Sequence, residues 1–143
     1  NMIVSLILFL VILAIFKIIL FPQILLLIPA LLWLLFLTIG ISLFTASLNV
    51  RFRDVAFFVQ TLLILWFYAT PVLYSMDLIP ESLNLLFSVN PLTSIFELMH
   101  VALLNQGVIN YQLTIFNLAI SVLIIIIGVL VFKKEHKYFV DWL

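Results

Sequence analysis

Apolar positions along this chain fall in long unbroken runs, not in the alternation of a half-buried strand or the striped repeat of a soluble amphipathic helix. A helix needs roughly 20 apolar residues to cross a hydrocarbon layer about 30 Å thick. Four runs meet that length, 3–21, 24–46, 55–74 and 111–132. They predict an all-α fold: a polytopic integral membrane helical bundle of four transmembrane helices, forming a single transmembrane domain over 1–143. Lys17 interrupts the first run near one end, where its stem can snorkel to the headgroups. Pro22 marks the turn to the second, and a connection from Phe21 to Gln23 is short enough to make the first two helices antiparallel neighbours. The second run ends at NVRFRD, residues 49–54, whose charges predict an interfacial loop.

Between the third and fourth runs lies a segment too apolar for an ordinary loop and too interrupted to span, residues 75–108. Pro80 and Pro91 divide it. Proline suits the first helical position and Asn90 is a good cap for a helix opening at Pro91, so short helices near 80–88 and 91–104 are expected. At 1.5 Å per residue, nine residues rise only about 14 Å. The expectation is a short outer re-entrant or interfacial helical hairpin, with residues 133–143 as a cytoplasmic tail.

Composition agrees with a lipid setting, being 67% hydrophobic and 8% charged, where soluble domains carry about 25% charged residues. Mean hydropathy is +1.44. A formal net charge of zero argues against a nucleic-acid partner, which needs clustered cations. Cysteine is absent, so disulfides, thiolate metal sites and cysteine nucleophiles are excluded. The chain opens at Asn1 directly into an apolar run too long for a cleavable signal peptide, which fits a sequence truncated at its start. Cation placement sets orientation: four spans bring Arg51, Arg53, Lys133, Lys134 and Lys137 to one side, so both ends of the chain are expected in the cytoplasm and Asp77, Glu81 and Glu97 outside.

The polar positions inside these helices define the candidate chemistry. Thr38, Ser42, Thr45 and Asn49 share one face of the second helix, and Thr114, Asn117 and Ser121 one face of the fourth. Such residues either let helices pack closely and share hydrogen bonds or line a hydrophilic passage. The third helix carries Gln60 and Thr61, then Trp66, Phe67 and Tyr68, and then Pro71, which is expected to kink or end it. With Tyr74 these aromatics form either an interfacial belt or a stacking surface for sugar rings. Glu97 and His100, with Thr93 on the same face, form either the wet side of an amphipathic helix or an acid–imidazole pair. No metal ligand set is assembled, because His136 belongs to the opposite side, and no hydrolase triad is found. Arg53 and Asp54 read as a local ion pair or headgroup anchor, or as a docking point. The only glycines are Gly40, Gly107 and Gly128, so a GxxxxGK[ST] phosphate cradle cannot be built and no cofactor is expected on this chain.

The stretch LNVRFRDVAFFVQTLLILWFYATPVLYSMDLIPESLNLLFSVNPLTSIFELMHVALL, residues 48–104, resembles the membrane subunit of type-2 ABC exporters for O-antigen, capsule or teichoic acid. The shared features correspond to Asn49, Phe52, Arg53 and Asp54; to Trp66, Phe67, Pro71 and Tyr74; to Pro80 and Glu81; and to Asn90, Pro91 and Glu97. The tail FKKEHKYFVDWL is similar to that family's basic-aromatic ending. The resemblance implies a dimeric permease in the cell membrane that exports lipid-linked polysaccharide with ATP hydrolysed by a partner ABC ATPase subunit. This chain would supply helices three to six of a six-helix plan, without the amphipathic N-terminal helix, the first two spans or the coupling segment. Under it Trp66, Phe67, Tyr68, Tyr74, Thr38, Ser42 and Thr45 are candidates for the passage, Pro80, Glu81, Asn90, Pro91 and Glu97 for the outer gate, and Arg51, Arg53 and Asp54 for the cytoplasmic interface. The rival readings are a type-2 permease for a drug or lipid, a membrane enzyme acting on lipid-linked sugars with Glu97 as base and His100 as helper, and a structural membrane protein without a passage.

Overall fold

The computed structural model describes residues 2–15, 23–52, 54–72, 74, 78–104 and 108–135. All regular elements among them are helical: α1 (Met2–Ile15), a 3-10 turn (Gln23–Leu26) leading into α2 (Leu27–Arg51), α3 (Val55–Tyr68), α4 (Glu81–Ser88), α5 (Pro91–Leu104) and α6 (Tyr111–Glu135). The remainder of the expected first span, with Lys17 and the turn at Pro22, lies outside the described residues. So do Arg53, Asp77, Gly107 and the tail from His136 onward.

Among the described residues two helices are long and apolar enough to cross a membrane, α2 and α6, each of 25 residues. At 1.5 Å per residue each is about 37 Å long. Pro29 falls in the first turn of α2, where a missing N–H leaves no intrahelical bond unmade. The helix then continues beyond the predicted loop start at Asn49 to Arg51, and the Phe52 N–H still donates to the Leu48 carbonyl at 2.8 Å. Charge limits what can sit in hydrocarbon, but it does not stop a helix whose end projects past the lipid. α6 likewise runs through Lys133 and Lys134 to Glu135, with Asn110 as its cap: its side chain accepts from the Leu113 N–H at 3.2 Å.

α3 is shorter than the predicted 55–74, ending at Tyr68 after 14 residues. Pro71 has no N–H to give the next turn and restricts Thr70 before it, so the chain leaves the helix at Ala69. The Thr70 hydroxyl donates to the Trp66 carbonyl at 2.7 Å, satisfying one of the end groups. α4 and α5 stand on the stretches that the two prolines set off, and their axes meet at 94° across Val89 and Asn90.

The core is small. Ala30, Trp33 and Leu37 of α2 meet Ile95 and Leu98 of α5, ringed by Leu34, Ile41, Leu92, Met99, Ile109 and Ile124. Against α6, the Trp33 indole N–H donates to the Ser121 hydroxyl at 2.8 Å, and about two turns further along both helices Gly40 lies against Gly128. Both contacts advance in the same sense, so α2 and α6 run parallel and Arg51 shares one end of the bundle with Lys133 and Lys134. α3 starts beside the C-terminal half of α2, where Val55, Ala56 and Val59 face Ser42, Thr45, Ala46 and Asn49. It finishes at the α4–α5 corner, and so runs antiparallel to α2. The outer surface is apolar on α2, α3 and α6, with Phe36, Phe57, Phe58, Ile64 and Ile115 all exposed. Such a surface fits lipid, where helix association relies on close packing and interhelical hydrogen bonds.

Candidate functional site

Two polar zones emerge from this arrangement. The first is the α2 stripe. The packed face of α2 carries Ala30, Trp33, Leu37, Gly40 and Ser47, all buried. Turning 100° per residue, Thr38, Ser42, Thr45 and Asn49 lie nearly opposite, so this stripe does not join α2 to α5 or α6. Thr38 donates to the Leu34 carbonyl at 2.7 Å and Thr45 to the Ile41 carbonyl at 2.9 Å, an economical way to keep hydroxyls in an apolar helix. The lower half of the stripe forms one wall of an open groove of about 250 Å³ between Ser42, Thr45, Ala46 and Asn49 and the first turns of α3. Arg51 ends α2 just beyond the groove, exposed, its guanidinium 5.5 Å from the Phe52 ring centre. Asp54 stands exposed just before α3, where a carboxylate complements the helix dipole.

The second zone is the elbow between α4 and α5. Asn90 at its apex uses all four hydrogen-bonding positions of its amide. Its oxygen accepts from the Trp66 indole at 2.9 Å and from the Leu92 N–H at 3.1 Å. Its nitrogen donates to the Ala69 carbonyl at 3.1 Å and to the Thr70 hydroxyl at 2.9 Å. The predicted cap thus also fastens the elbow to the end of α3. On the other side Asn117 of α6, fully buried, donates to the Ser88 carbonyl at 3.0 Å and the Ser94 hydroxyl at 2.7 Å, while Ser121 donates to the Asn117 carbonyl at 2.8 Å. For Asn117 and Ser121 the packing alternative is the one the geometry bears out. Among the described residues Thr114 bonds within its own helix turn, to the Asn110 carbonyl.

The aromatic cluster divides. Trp66 is half-buried and tied to Asn90; Tyr74 donates to the Tyr68 carbonyl at 2.8 Å and meets Phe87 edge-on, with centroids 6.4 Å apart. Both serve the elbow. Phe67 and Tyr68 are exposed, edge to face at 5.6 Å. Pro80 and Glu81 open α4 on the exposed side of the elbow, and Pro91 is buried at the start of α5. Thr93 is buried and donates to the Phe87 carbonyl at 2.7 Å. The His100 Nε2 lies 3.1 Å from the Val72 carbonyl, pinning the segment after α3 onto α5. Glu97 is half-buried, and its Oε2 has no hydrogen-bond partner among the described residues. No bond joins it to His100 there, so an acid–base pair is not assembled. No group of three His, Asp or Glu suited to a metal occurs among the described residues.

Sequence reasoning picked out Asn117 and Ser121 but missed the partners Trp33, Ser88 and Ser94 that complete the polar seam. It also missed the Gly40–Gly128 contact, although two glycines in otherwise unbroken apolar helices are a signal of close approach.

A helical bundle with two apolar helices of spanning length has the make-up of a membrane protein. The comparisons are specific: the family model described as ABC-2 type transporter matches residues 1–104, and the chain belongs to that family. Among its relatives is an O-antigen export system permease protein RfbA of Klebsiella pneumoniae, 35% identical over 104 residues, which are 73% of this chain and 40% of the relative. A second Klebsiella pneumoniae RfbA is 32% identical over the same coverage. One from Myxococcus xanthus is 27% identical over 106 residues, 73% of this chain and 41% of the relative. The chain therefore matches well under half the length of each.

Proposed function

We propose that this chain is part of the permease of an ATP-driven exporter that moves lipid-linked polysaccharide, of the O-antigen, capsule or teichoic acid kind, across the cytoplasmic membrane. The observation that carries the reading is its 35% identity to an O-antigen export permease protein within a shared ABC-2 type transporter family. A separate ABC ATPase subunit supplies the energy, as the family resemblance implies, and the full-length permease works as a homodimer; the three glycines of this chain form no phosphate cradle themselves.

In this reading the chain crosses the membrane four times. Parallel α2 and α6 require one return crossing between them, and α3 runs in the needed direction. Its 14 residues rise about 21 Å, most of the hydrocarbon thickness. The end carrying Arg51, Arg53, Lys133 and Lys134 faces the cytoplasm, as do both ends of the chain, and Arg51, Arg53 and Asp54 meet the partner there. The elbow, with Pro80, Glu81, Asn90, Pro91 and Glu97, forms the outer gate. Thr38, Ser42 and Thr45 border the passage, and Phe67 and Tyr68 offer sugar rings an aromatic face, with Trp66 and Tyr74 holding that face in position.

Deleting the complete gene that contains this segment is expected to abolish surface polysaccharide while its lipid-linked form accumulates inside, with recovery only when the permease and a functional ATPase partner are both present. Normal surface polysaccharide would overturn the reading in favour of a drug or lipid exporter. A narrower test is Tyr68→Leu. The side chain is 71% exposed, so its loss leaves the unfolding midpoint unchanged. Export should fall roughly tenfold, the effect of losing about 1.4 kcal/mol of interaction. Undiminished export removes the stacking role.

A further inference from the structure

The two asparagines that hold the elbow are not equivalent. Asn90 spends every hydrogen-bonding position on α3 and α5, a joint with nothing left to gain by moving. Asn117 is fully buried and uses both of its N–H groups on the elbow, but its Oδ1, also buried, meets no donor among the described residues. An unpaired buried acceptor carries its full desolvation cost while the elbow is docked, and recovers hydration when the elbow leaves. Release is therefore less unfavourable at α6 than at α3.

Asn117 also grips both sides of the corner. Its amide holds the last carbonyl of α4, at Ser88, and a hydroxyl in the first turn of α5, at Ser94. Departure of the whole elbow from α6 breaks both bonds. We propose that Asn117 is a releasable latch that holds the α4–α5 elbow against α6, while Asn90 keeps the elbow joined to α3 through the movement. The aqueous exit that such a movement uncovers rests on the exporter reading; the latch itself does not.

The test uses the full-length permease with its ATPase partner in nanodiscs, with its other cysteines replaced and one introduced as Ile95→Cys, fully buried on the elbow. A control carries Ser47→Cys, 1% exposed on α2 in the half nearest Arg51. Modification rates are measured with a membrane-permeant and an impermeant maleimide. Asn117→Leu keeps the branched shape and the number of heavy atoms and removes both donors; it should raise the rate at position 95 about tenfold and leave position 47 protected. Asn117→Ser, which keeps one donor, should fall between. Acceleration with both reagents supports the latch and the aqueous exit. Acceleration with the permeant reagent alone overturns the latch together with the exit, since release then brings no water to the Asn117 Oδ1. Unchanged rates at position 95 overturn the latch, and so does equal acceleration at both positions, which would make Asn117 a general packing residue.

Discussion

Replacing Gly128 by alanine is expected to lower the unfolding midpoint of the full-length protein more than any other single-methyl addition within α2 or α6. A Cβ built at Gly128 overlaps the Gly40 carbonyl, and its next neighbours are the Gly40 backbone carbon atoms at 3.0 and 3.3 Å. Backbone cannot rotate aside, so the helices must separate. Overpacking of this kind costs about 1–3 kcal/mol, and the better helix propensity of alanine returns at most about 1 kcal/mol. Gly40→Ala meets the Cα of Ile125 at 2.8 Å and should destabilise in the same direction. Separation also stretches the Trp33–Ser121 bond nearby, so Trp33→Phe should cost less in the Gly128→Ala background than alone. Thermal unfolding in detergent, followed by circular dichroism, reads all of these. A Gly128→Ala protein melting with its parent would show that the α2–α6 contact does not limit stability.

That contact also marks where the sequence could and could not be read. Hydropathy located α2 and α6 because lipid tolerates only apolar residues over such a length, and Pro80, Asn90 and Pro91 located α4 and α5 through backbone restrictions that act locally. Hydropathy overran α3, since it counts residues compatible with lipid and is blind to the hydrogen bond that Pro71 removes. On α2 it marked a face other than the one that packs on α5 and α6. Thr38, Ser42, Thr45 and Asn49 contrast with their neighbours in polarity, whereas the face that packs, Ala30, Trp33, Leu37, Gly40 and Ser47, contrasts with them mainly in size and shape. In membranes it is small residues and polar side chains that join helices, so a polar stripe and a packing stripe need not coincide. On α6 they do, at Asn117 and Ser121, because these residues find partners on α5 and α2. The partners lie 23 residues or more away in sequence, and no local pattern encodes them.

The elbow provides the second large effect. Asn90→Ala should destabilise the protein by about 2–4 kcal/mol, combining loss of a helix cap, worth about 0.5–2 kcal/mol, with partners left unpaired at about 1–3 kcal/mol each, only some of which water can reach. Asn90→Asp separates the contributions. A carboxylate still accepts from the Trp66 indole and the Leu92 N–H, but can no longer donate to the Ala69 carbonyl and the Thr70 hydroxyl. It should cost about half as much as alanine. Removing the indole donor first, with Trp66→Phe, should make Asn90→Ala less damaging by about 1 kcal/mol, because the shared bond is then lost only once. Unfolding midpoints of the four proteins in that cycle give the coupling directly. Strict additivity would mean that the bond between Trp66 and Asn90 contributes nothing to holding α3 to the elbow.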